Sequence, residues 1–434
     1  MADPTLQKSS QGILLLKQAG MFLLYNLSIH LYTGFIKTAS LVNQKAKKWV
    51  SGRKDWQKHL KNAFQKEHKY IWFHASSLGE FEQGRPVIEE FRSNYPQYKI
   101  VLTFFSPSGF EVRKNYSGAD YVCYLPADTS HNARKFIEIV NPAMAFFIKY
   151  EFWFNYIQVL HKKNIPIFFF SVKFRPGQHF FKWYGGWFRK MLKKISWIFV
   201  QDENSKKLLL SIGLKKCSVS GDTRFDRVLS VSSQKKAFPL IELFCRNKDI
   251  MVAGSTWPPD EDMMVHIINK FTGRFKFIIA PHEINMERIS FFQKMLKATS
   301  LKFSEANEQN IKTADVLIID SIGILLHLYQ YARFAYIGGG FGKNVHNILE
   351  AATFGVPVVF GPNYHKFQEA IDLIKLEGAF PVNNYEGFEQ IVSKLSIDDN
   401  FRKKCSEICR NFVVNNAGAT SIIMEKIADY FNEN

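Results

Sequence analysis

The chain holds 434 residues, 46% hydrophobic and 15% aromatic, with 57 Lys and Arg against 39 Asp and Glu. Its length suits two or three domains, and so aromatic a composition excludes a disordered polymer. No period of roughly 33–45 residues recurs, which excludes a repeat solenoid. The formal charge of +18 is unevenly placed: residues 1–200 carry 29 basic and 12 acidic side chains (net +17), and 201–434 carry 28 and 27 (net +1). A basic half joined to a neutral one is expected to meet different partners with each. The five cysteines (Cys123, Cys217, Cys245, Cys405, Cys409) are scattered and lack zinc-ligand spacing, as for free thiols in a reducing, cytosol-facing compartment.

In chain order, residues 1–20 form an extension unlike either half. From Gln18 to Ile36 no charged residue occurs, about the length of a short membrane span. Asn26, Ser28, His30 and Thr33 nevertheless make it a poor lipid-soluble rod. No small-residue cleavage site follows, so it is not a cleaved signal peptide. Ten Lys and Arg then fall between Lys37 and Lys69, against Asp55 and Glu67. An apolar helix followed by a basic cluster predicts a membrane-associated segment over 21–59, its C-terminal side on the cytoplasmic face and anionic lipids as its partner. The alternative is an amphipathic helix packed on the first domain.

Short apolar runs then alternate with helical stretches: Tyr70–His74, Ile100–Phe105, Met144–Ile148, Ile165–Val172 and Trp197–Gln201, with helices such as Gln83–Tyr95 and Ala133–Val140 between them. Runs this short, rich in Ile, Val and Phe, predict buried strands of a parallel α/β sheet. A Ser-, Lys- and Pro-containing stretch over 229–248 reads as a connection. A second series follows: Asp249–Gly254, Phe275–Ala280, Val316–Ile319, Phe334–Ile337 and Val356–Phe360. The expected architecture is two tandem doubly wound α/β domains, 60–228 and 249–410, with a cleft between them and a C-terminal helix in 411–434. In such sheets ligands sit at the carboxyl ends of the strands.

Three strand-end stretches carry polar chemistry. His74-Ala-Ser-Ser-Leu-Gly-Glu80-Phe-Glu82 follows the first strand, and a carboxylate partly buried at that turn suits general-base duty; equally, Glu80 and Glu82 are placed as first-turn helix acids. Lys149-Tyr-Glu151-Phe-Trp-Phe-Asn155 sets one acid among aromatics, an unusual place for a purely structural carboxylate. Gly338-Gly-Gly-Phe-Gly-Lys343-Asn-Val-His346-Asn347-Ile-Leu-Glu350 is a glycine-rich loop entering a helix, able to offer backbone N–H groups to a phosphate, but it matches neither GxGxxG at a first strand nor GxxxxGK[ST]. Gly254-Ser255-Thr256 and Pro281-His282-Glu283 face the same rim. Asp260 and Asp262 read as first-turn helix acids, and no metal-ligand pattern stands out, so neither a metal nor a cofactor is expected.

Taken in order, HASSLGE (74–80), the acid-aromatic-Asn stretch (151–155), GDTRFD (221–226), the GS pair (254–255) and HNILEAA (346–352) resemble the 3-deoxy-D-manno-octulosonic acid (Kdo) transferase family of lipopolysaccharide biosynthesis. The resemblance runs from Met21 onward. It implies a GT-B glycosyltransferase at the cytoplasmic face of the inner membrane, inverting and metal-independent, using CMP-Kdo as donor and the phosphorylated glucosamine disaccharide lipid IVA as acceptor. It makes Glu80 the general base and gives Glu151 and Arg224 roles in the transition state. Gly254, Ser255, Pro281, His282, Ile322, Gly323, Ile324, Asn347, Ile348, Leu349 and Glu350 would line the CMP pocket. Phe154, Arg224 and Gly340 stand where the family commonly has Pro, Lys and Ser. The competing readings are another GT-B enzyme using a different nucleotide sugar on a membrane lipid, a nucleic-acid-binding protein, and a structural membrane adaptor, which would leave the paired strand-end loops unexplained. The second is disfavoured because the basic residues cluster beside an apolar helix and no nucleic-acid motif occurs.

Overall fold

The computed structural model describes residues 4–234 and 236–433, with side chains over 20–234 and 236–432. These residues divide into two compact units, 1–224 with 418–434, and 225–417. Each is built on a seven-stranded parallel sheet with helical crossovers.

The first sheet comprises β1 (Tyr70–Ala75), β2 (Lys99–Phe104), β3 (Tyr121–Tyr124), β4 (Pro142–Ile148), β5 (Ile167–Val172), β6 (Trp197–Val200) and β7 (Cys217–Val219), in the order β3-β2-β1-β4-β5-β6-β7. Every residue of β1 and β5 is buried, as expected where helices cover both faces. Alternation sends Tyr70, Trp72, Ile167 and Phe169 to one core and Ile71, Phe73, Phe168 and Phe170 to the other. The helix Ala419–Glu433 returns to this unit, burying Ile423, Met424 and Ile427 beside Phe73 and Phe91.

The second sheet comprises β8 (Asp249–Thr256), β9 (Phe275–Pro281), β10 (Ser300–Lys302), β11 (Val316–Ile318), β12 (Phe334–Ile337), β13 (Val358–Phe360) and β14 (Ala379–Pro381), ordered β10-β11-β9-β8-β12-β13-β14. The stretch expected as a plain connection contains two helices, Thr223–Ser233 and Pro239–Cys245. Their apolar residues Phe225, Val228, Ile241 and Phe244 belong to the second unit's core. Burial of that stripe, rather than propensity, makes this Ser- and Lys-rich stretch helical.

Ahead of the first sheet lie α1 (Pro4–Ala39), α2 (Gln44–Ser51) and α3 (Trp56–Ala63). Within the sheet's crossovers come α4 (Leu78–Asn94), α5 (Pro107–Arg113), α6 (Ser130–Val140), α7 (Phe154–Lys162) and α8 (Gly186–Leu192). No described helix is long and apolar enough to cross a membrane. The inward face of α1 is partly polar. The Tyr25 hydroxyl donates to Asp128 Oδ2 at 2.5 Å, and Asn26 Oδ1 accepts from Asn155 Nδ2 at 3.1 Å. Phe22 and Tyr25 pack on Phe154. Leu23, Leu27, Leu31 and Phe35, spaced by four residues, are instead 66%, 54%, 66% and 72% exposed. The hydroxyls of Ser28 and Thr33 bond to carbonyls of their own helix, at Tyr25 and Ile29.

Asp128 is the buried hub of this docking, since its carboxylate also accepts the N–H groups of Asn155 and Tyr156 at 3.1 Å each. Asp128→Ala strands three donors and is expected to cost about 2–4 kcal/mol. The measurement is the shift of the urea midpoint, with Asp128→Asn, which keeps one acceptor, losing less.

Candidate active site

Glu80 owes its place to the way α4 starts. Ser77 is the N-cap, its hydroxyl facing the Glu80 N–H at 3.5 Å, while Glu80 Oε2 reaches back to accept the Ser76 N–H at 2.6 Å. This is a capping box displaced by one residue, so the first-turn-acid reading is correct as structure for Glu80 but not for Glu82, which lies beyond the first turn and pairs with Arg113. The box occupies one Glu80 oxygen: among the described residues, Oε1 accepts no hydrogen bond. Burial, then the negative charge of Glu151, pushes the carboxyl up to about 7, against the Ser76 N–H and the Lys149 ammonium. A carboxyl with such a value changes protonation near neutrality, the property a general base needs.

Glu151 comes from the end of β4, the strand directly paired with β1. The preceding Lys149 takes a left-handed backbone (φ 63°), which turns the chain sharply as it leaves the sheet. Trp153 Nε1–H donates to Glu151 Oε2 at 2.8 Å and also approaches His74 Nε2 at 3.1 Å. His74 Nε2 lies 3.4 Å from the same Glu151 oxygen. An Nε2 that accepts from Trp153 leaves the ring proton on Nδ1, which faces the Thr103 hydroxyl at 2.8 Å and carbonyl at 3.2 Å. Fully buried on β1, His74 thus joins the base strand to the second acid.

Arg224 reaches the same region through Gln83, one helical turn beyond Glu80. With its amide oxygen turned toward the cations, Gln83 accepts from Lys149 Nζ and Arg224 Nε, both at 3.3 Å. The Thr223 hydroxyl donates to the Gln83 carbonyl at 2.5 Å and fixes the arginine's entry. Asp222 pairs with the guanidinium, at 2.9 Å to Nε and 2.8 Å to Nη2. The arginine is therefore already neutralised locally, and Lys149 is a second cation of the site. Sequence reasoning named His74, Lys149, Trp153 and Asp222 within motifs without giving them roles, and passed over Gln83. The available signal was position: each lies at a strand's carboxyl end or one helical turn from Glu80.

In the second unit, Gly254 and Ser255 lie within the end of β8 rather than in a loop after it, and Ser255 (φ 55°) marks a register shift between β8 and β9. Gly254 pairs with Ile337 of β12. A side chain at Gly338 would meet the Ser255 carbonyl at 2.3 Å, so this glycine serves close packing of the two strand ends. Asp260, fully buried, accepts the Gly339 N–H (2.8 Å), the Trp257 N–H (2.9 Å) and the Tyr336 hydroxyl (2.6 Å), and thereby holds the glycine loop. Pro281 and His282 join the same rim: the His282 N–H donates to the Thr256 carbonyl, and its ring stacks against both Trp257 and His346, which also touch each other. His346 accepts Trp257 Nε1–H at 2.9 Å, and burial, then His282, depresses it to about 4. It is a neutral acceptor at physiological pH.

Asn347 precedes the short helix Leu349–Ala352 and braces its start, its Oδ1 accepting the Leu349 N–H and its Nδ2 donating to Glu350 Oε1. Ile348 and Leu349 are buried in the core, so they present backbone rather than side chain to a ligand. Ile322 is 89% exposed, Gly323 has φ 95°, and Ile324 packs on the core beside Leu328 and Tyr329. Lys343, Asn344, His346, Trp257 and Phe367 border a cavity of about 520 Å³. No group of three metal-ligating side chains stands together among the described residues.

Residues 54–227 match the family described as 3-deoxy-D-manno-octulosonic-acid transferase. A 3-deoxy-D-manno-octulosonic acid transferase of Haemophilus influenzae is 25% identical over 377 residues, covering 84% of this chain and 88% of that protein. One from Aquifex aeolicus is 28% identical over 335 residues, covering 75% and 85% respectively. Over most of its length the chain is similar in sequence to Kdo transferases. Among solved structures, a UDP-GlcNAc 2-epimerase from Neisseria meningitidis superposes on this chain with a TM-score of 0.59 at 16% identity, over 83% of this chain and 100% of the epimerase. That likeness concerns the fold alone, two Rossmann-like α/β domains of the GT-B type.

The raised Glu80 carboxyl has a consequence for stability. The folded state holds the Glu80 proton up to about 7, whereas an unfolded chain releases it near 4.5. The contribution of Glu80 to stability is therefore full below 4.5 and is lost as pH rises to about 7, by about 2–3 kcal/mol. Glu80→Gln removes that term. The variant is expected to gain about 2–3 kcal/mol over wild type on going from about pH 4 to about pH 8, read from urea unfolding at both pH values.

Proposed function

We propose that this chain transfers Kdo from CMP-Kdo to a hydroxyl of the phosphorylated lipid A precursor lipid IVA, with Glu80 as the general base. Sequence similarity to Kdo transferases over most of the chain supports glycosyl transfer of this kind. The observation that carries the assignment of the base is the Glu80 carboxyl, raised to about 7 at the end of β1 with Oε1 unoccupied by any described residue. In the proposed step, Oε1 takes the proton of the acceptor hydroxyl as its oxygen bonds to the anomeric carbon of Kdo. The bond from that carbon to the CMP phosphate breaks, and CMP leaves with the electron pair. Attack opposite the leaving group inverts the anomeric centre. Lys149 supplies positive charge beside the two acids, and Arg224, its charge largely offset by Asp222, adds guanidinium N–H donors there, as cationic groups do where negative charge develops. The segments Gly254–Ser255, Pro281–His282 and Asn347–Glu350 are assigned to CMP-Kdo. No metal or cofactor enters the scheme.

The same proposal sets the first unit against the cytoplasmic face of the inner membrane. The exposed stripe Leu23, Leu27, Leu31 and Phe35, followed by the basic segment from Lys37 to Lys69, suits an interfacial helix on anionic lipid better than a helix crossing it.

Incubation with CMP-Kdo and lipid IVA is expected to raise the acceptor mass by one or more Kdo residues in mass spectrometry; no increase with folded protein overturns the proposal. Glu80→Gln is expected to lower kcat by about 10²–10⁴-fold while CMP-Kdo binding persists. Because the base must be ionised, kcat/KM of the wild type rises with pH and levels off above about 7. Near-normal turnover in the variant would remove Glu80 from the role.

A further inference from the structure

A cavity of about 820 Å³ opens in the first unit on the far side of the Glu151 turn, between α1, α6, α7 and α8. Its floor is aromatic: Phe154 and Trp187 stack at 4.4 Å, and Phe22 of α1 packs against Phe154 at 5.9 Å. Its rim is cationic. Arg134, Lys162, Lys163, Lys190 and Lys194 all line it, against the single acid Glu138. Glu138 pairs with Lys135 outside the cavity, at 2.9 Å, and its charge also reaches Lys163 and Arg134, leaving Lys162, Lys190 and Lys194 as the group without a nearby acid among the described residues. Among the described residues none of the five rim cations forms an ion pair, although the first unit supplies partners elsewhere, as for Arg92 with Asp120 and Arg113 with Glu82. The Lys194 ammonium lies 5.4 Å over the Phe154 ring and donates to the Gln158 amide oxygen. Burial, then the like charges of Lys162 and Lys190, lowers its pKa. Crowded unpaired cations above an apolar floor cost stability unless an anion joins them, and the floor calls for that anion to carry an apolar chain.

We propose that this cavity binds one phospholipid of the bilayer, its phosphate among Lys162, Lys190 and Lys194 and the first methylenes of its chains on Phe154, Trp187 and Phe22. A bilayer lipid is favoured over a free anion by continuity of surface. Phe22 lines the cavity, and the next residue, Leu23, begins the exposed stripe of α1, so a chain leaving the cavity meets the face assigned to the membrane. The inference rests on that membrane-surface reading and adds to it a stoichiometric site, distinct from diffuse attraction by the Lys37–Lys69 segment.

The test uses the full chain and two probes. Monomeric dihexanoyl phosphatidic acid, titrated calorimetrically, is expected to bind one to one, with dihexanoyl phosphatidylcholine and inorganic phosphate each at least about tenfold weaker. Lys190→Gln/Lys194→Gln, which relieves repulsion and leaves the core untouched, is expected to keep the wild-type melting profile and lose at least about tenfold in affinity for the phosphatidic acid. Co-sedimentation with phosphatidylglycerol vesicles reports the membrane reading separately. If vesicles bind but the short-chain lipid does not saturate at one equivalent, the cavity proposal falls and the membrane reading stands. If inorganic phosphate binds as tightly as the lipid, the site is one for free anions and the proposal is overturned. If neither probe binds, both readings fall.

Discussion

The arrangement of chemistry in each unit depends on one topological constraint: two adjacent parallel strands whose following connections leave for opposite faces of the sheet. After β1 the chain enters α4, whose Phe81, Val87 and Phe91 join one core; after β4 it enters α7, whose Phe154, Ile157 and Leu160 join the other. Because β1 and β4 are hydrogen-bonded neighbours, the parting of α4 and α7 leaves the strand ends uncovered between them. Glu80 stands at one lip and Glu151 at the other. The second unit repeats the device at β8 and β12, where Gly254 and the Gly338–Lys343 loop meet. Residues far apart in sequence become neighbours in both places for the same reason.

Within the first crevice, two carboxylates receive different treatment from their surroundings. Glu151 is engaged by the Trp153 N–H and bordered by His74, whereas Glu80 keeps one oxygen without a hydrogen bond and feels Glu151's charge. Different hydrogen-bond surroundings let a single site assign different roles to paired acids. The cations are graded likewise. Arg224 spends much of its charge on Asp222 at 2.8 Å, so its planar guanidinium acts as much to orient Gln83 as to attract anions. Lys149, on a left-handed turn, lowers the Glu80 carboxyl's pKa and limits its rise.

Sequence reasoning identified all ten interior strands and missed β3, β7, β10 and β14, which are the four edges of the two sheets. Interior strands are buried on both faces and must be continuously apolar, which makes them readable. The edges are three or four residues long, and SLK in β10 or CSV in β7 carries no apolar run. The start of α4 lay five residues before the expected Gln83 because the capping Ser77 sits inside the motif read as a catalytic loop. Acid positions at strand ends were legible from spacing alone. Their partners were not, since Trp153 and His74 meet only when β1 and β4 pair. The glycine loop looked like a phosphate cradle, yet Gly338 is required by the closeness of Ser255, and the buried Asp260 holds Gly339 from below. Composition could not separate those two uses of glycine.

The same logic explains why the first helix looked too polar for a membrane and too apolar for water. Its polar groups are not distributed around the rod. Tyr25 and Asn26 face Asp128 and Asn155, Ser28 and Thr33 are satisfied by their own helix, and the apolar residues at 23, 27, 31 and 35 face out. A helix that buries hydrogen bonds against its domain and exposes leucines reverses the usual amphipathic order. The basic residues of this half are likewise not uniform. Some are held in ion pairs, such as Arg85 with Glu89, while Lys162, Lys190 and Lys194 gather unpaired where Phe22 meets Phe154. Net charge of +17 over residues 1–200 therefore has an address, the surface around α1, α7 and α8 and the segment that follows α1. A nucleic-acid surface would spread such charge along a polar groove, but here it borders exposed leucine and stacked aromatic rings, the combination that an anionic head group joined to hydrocarbon satisfies.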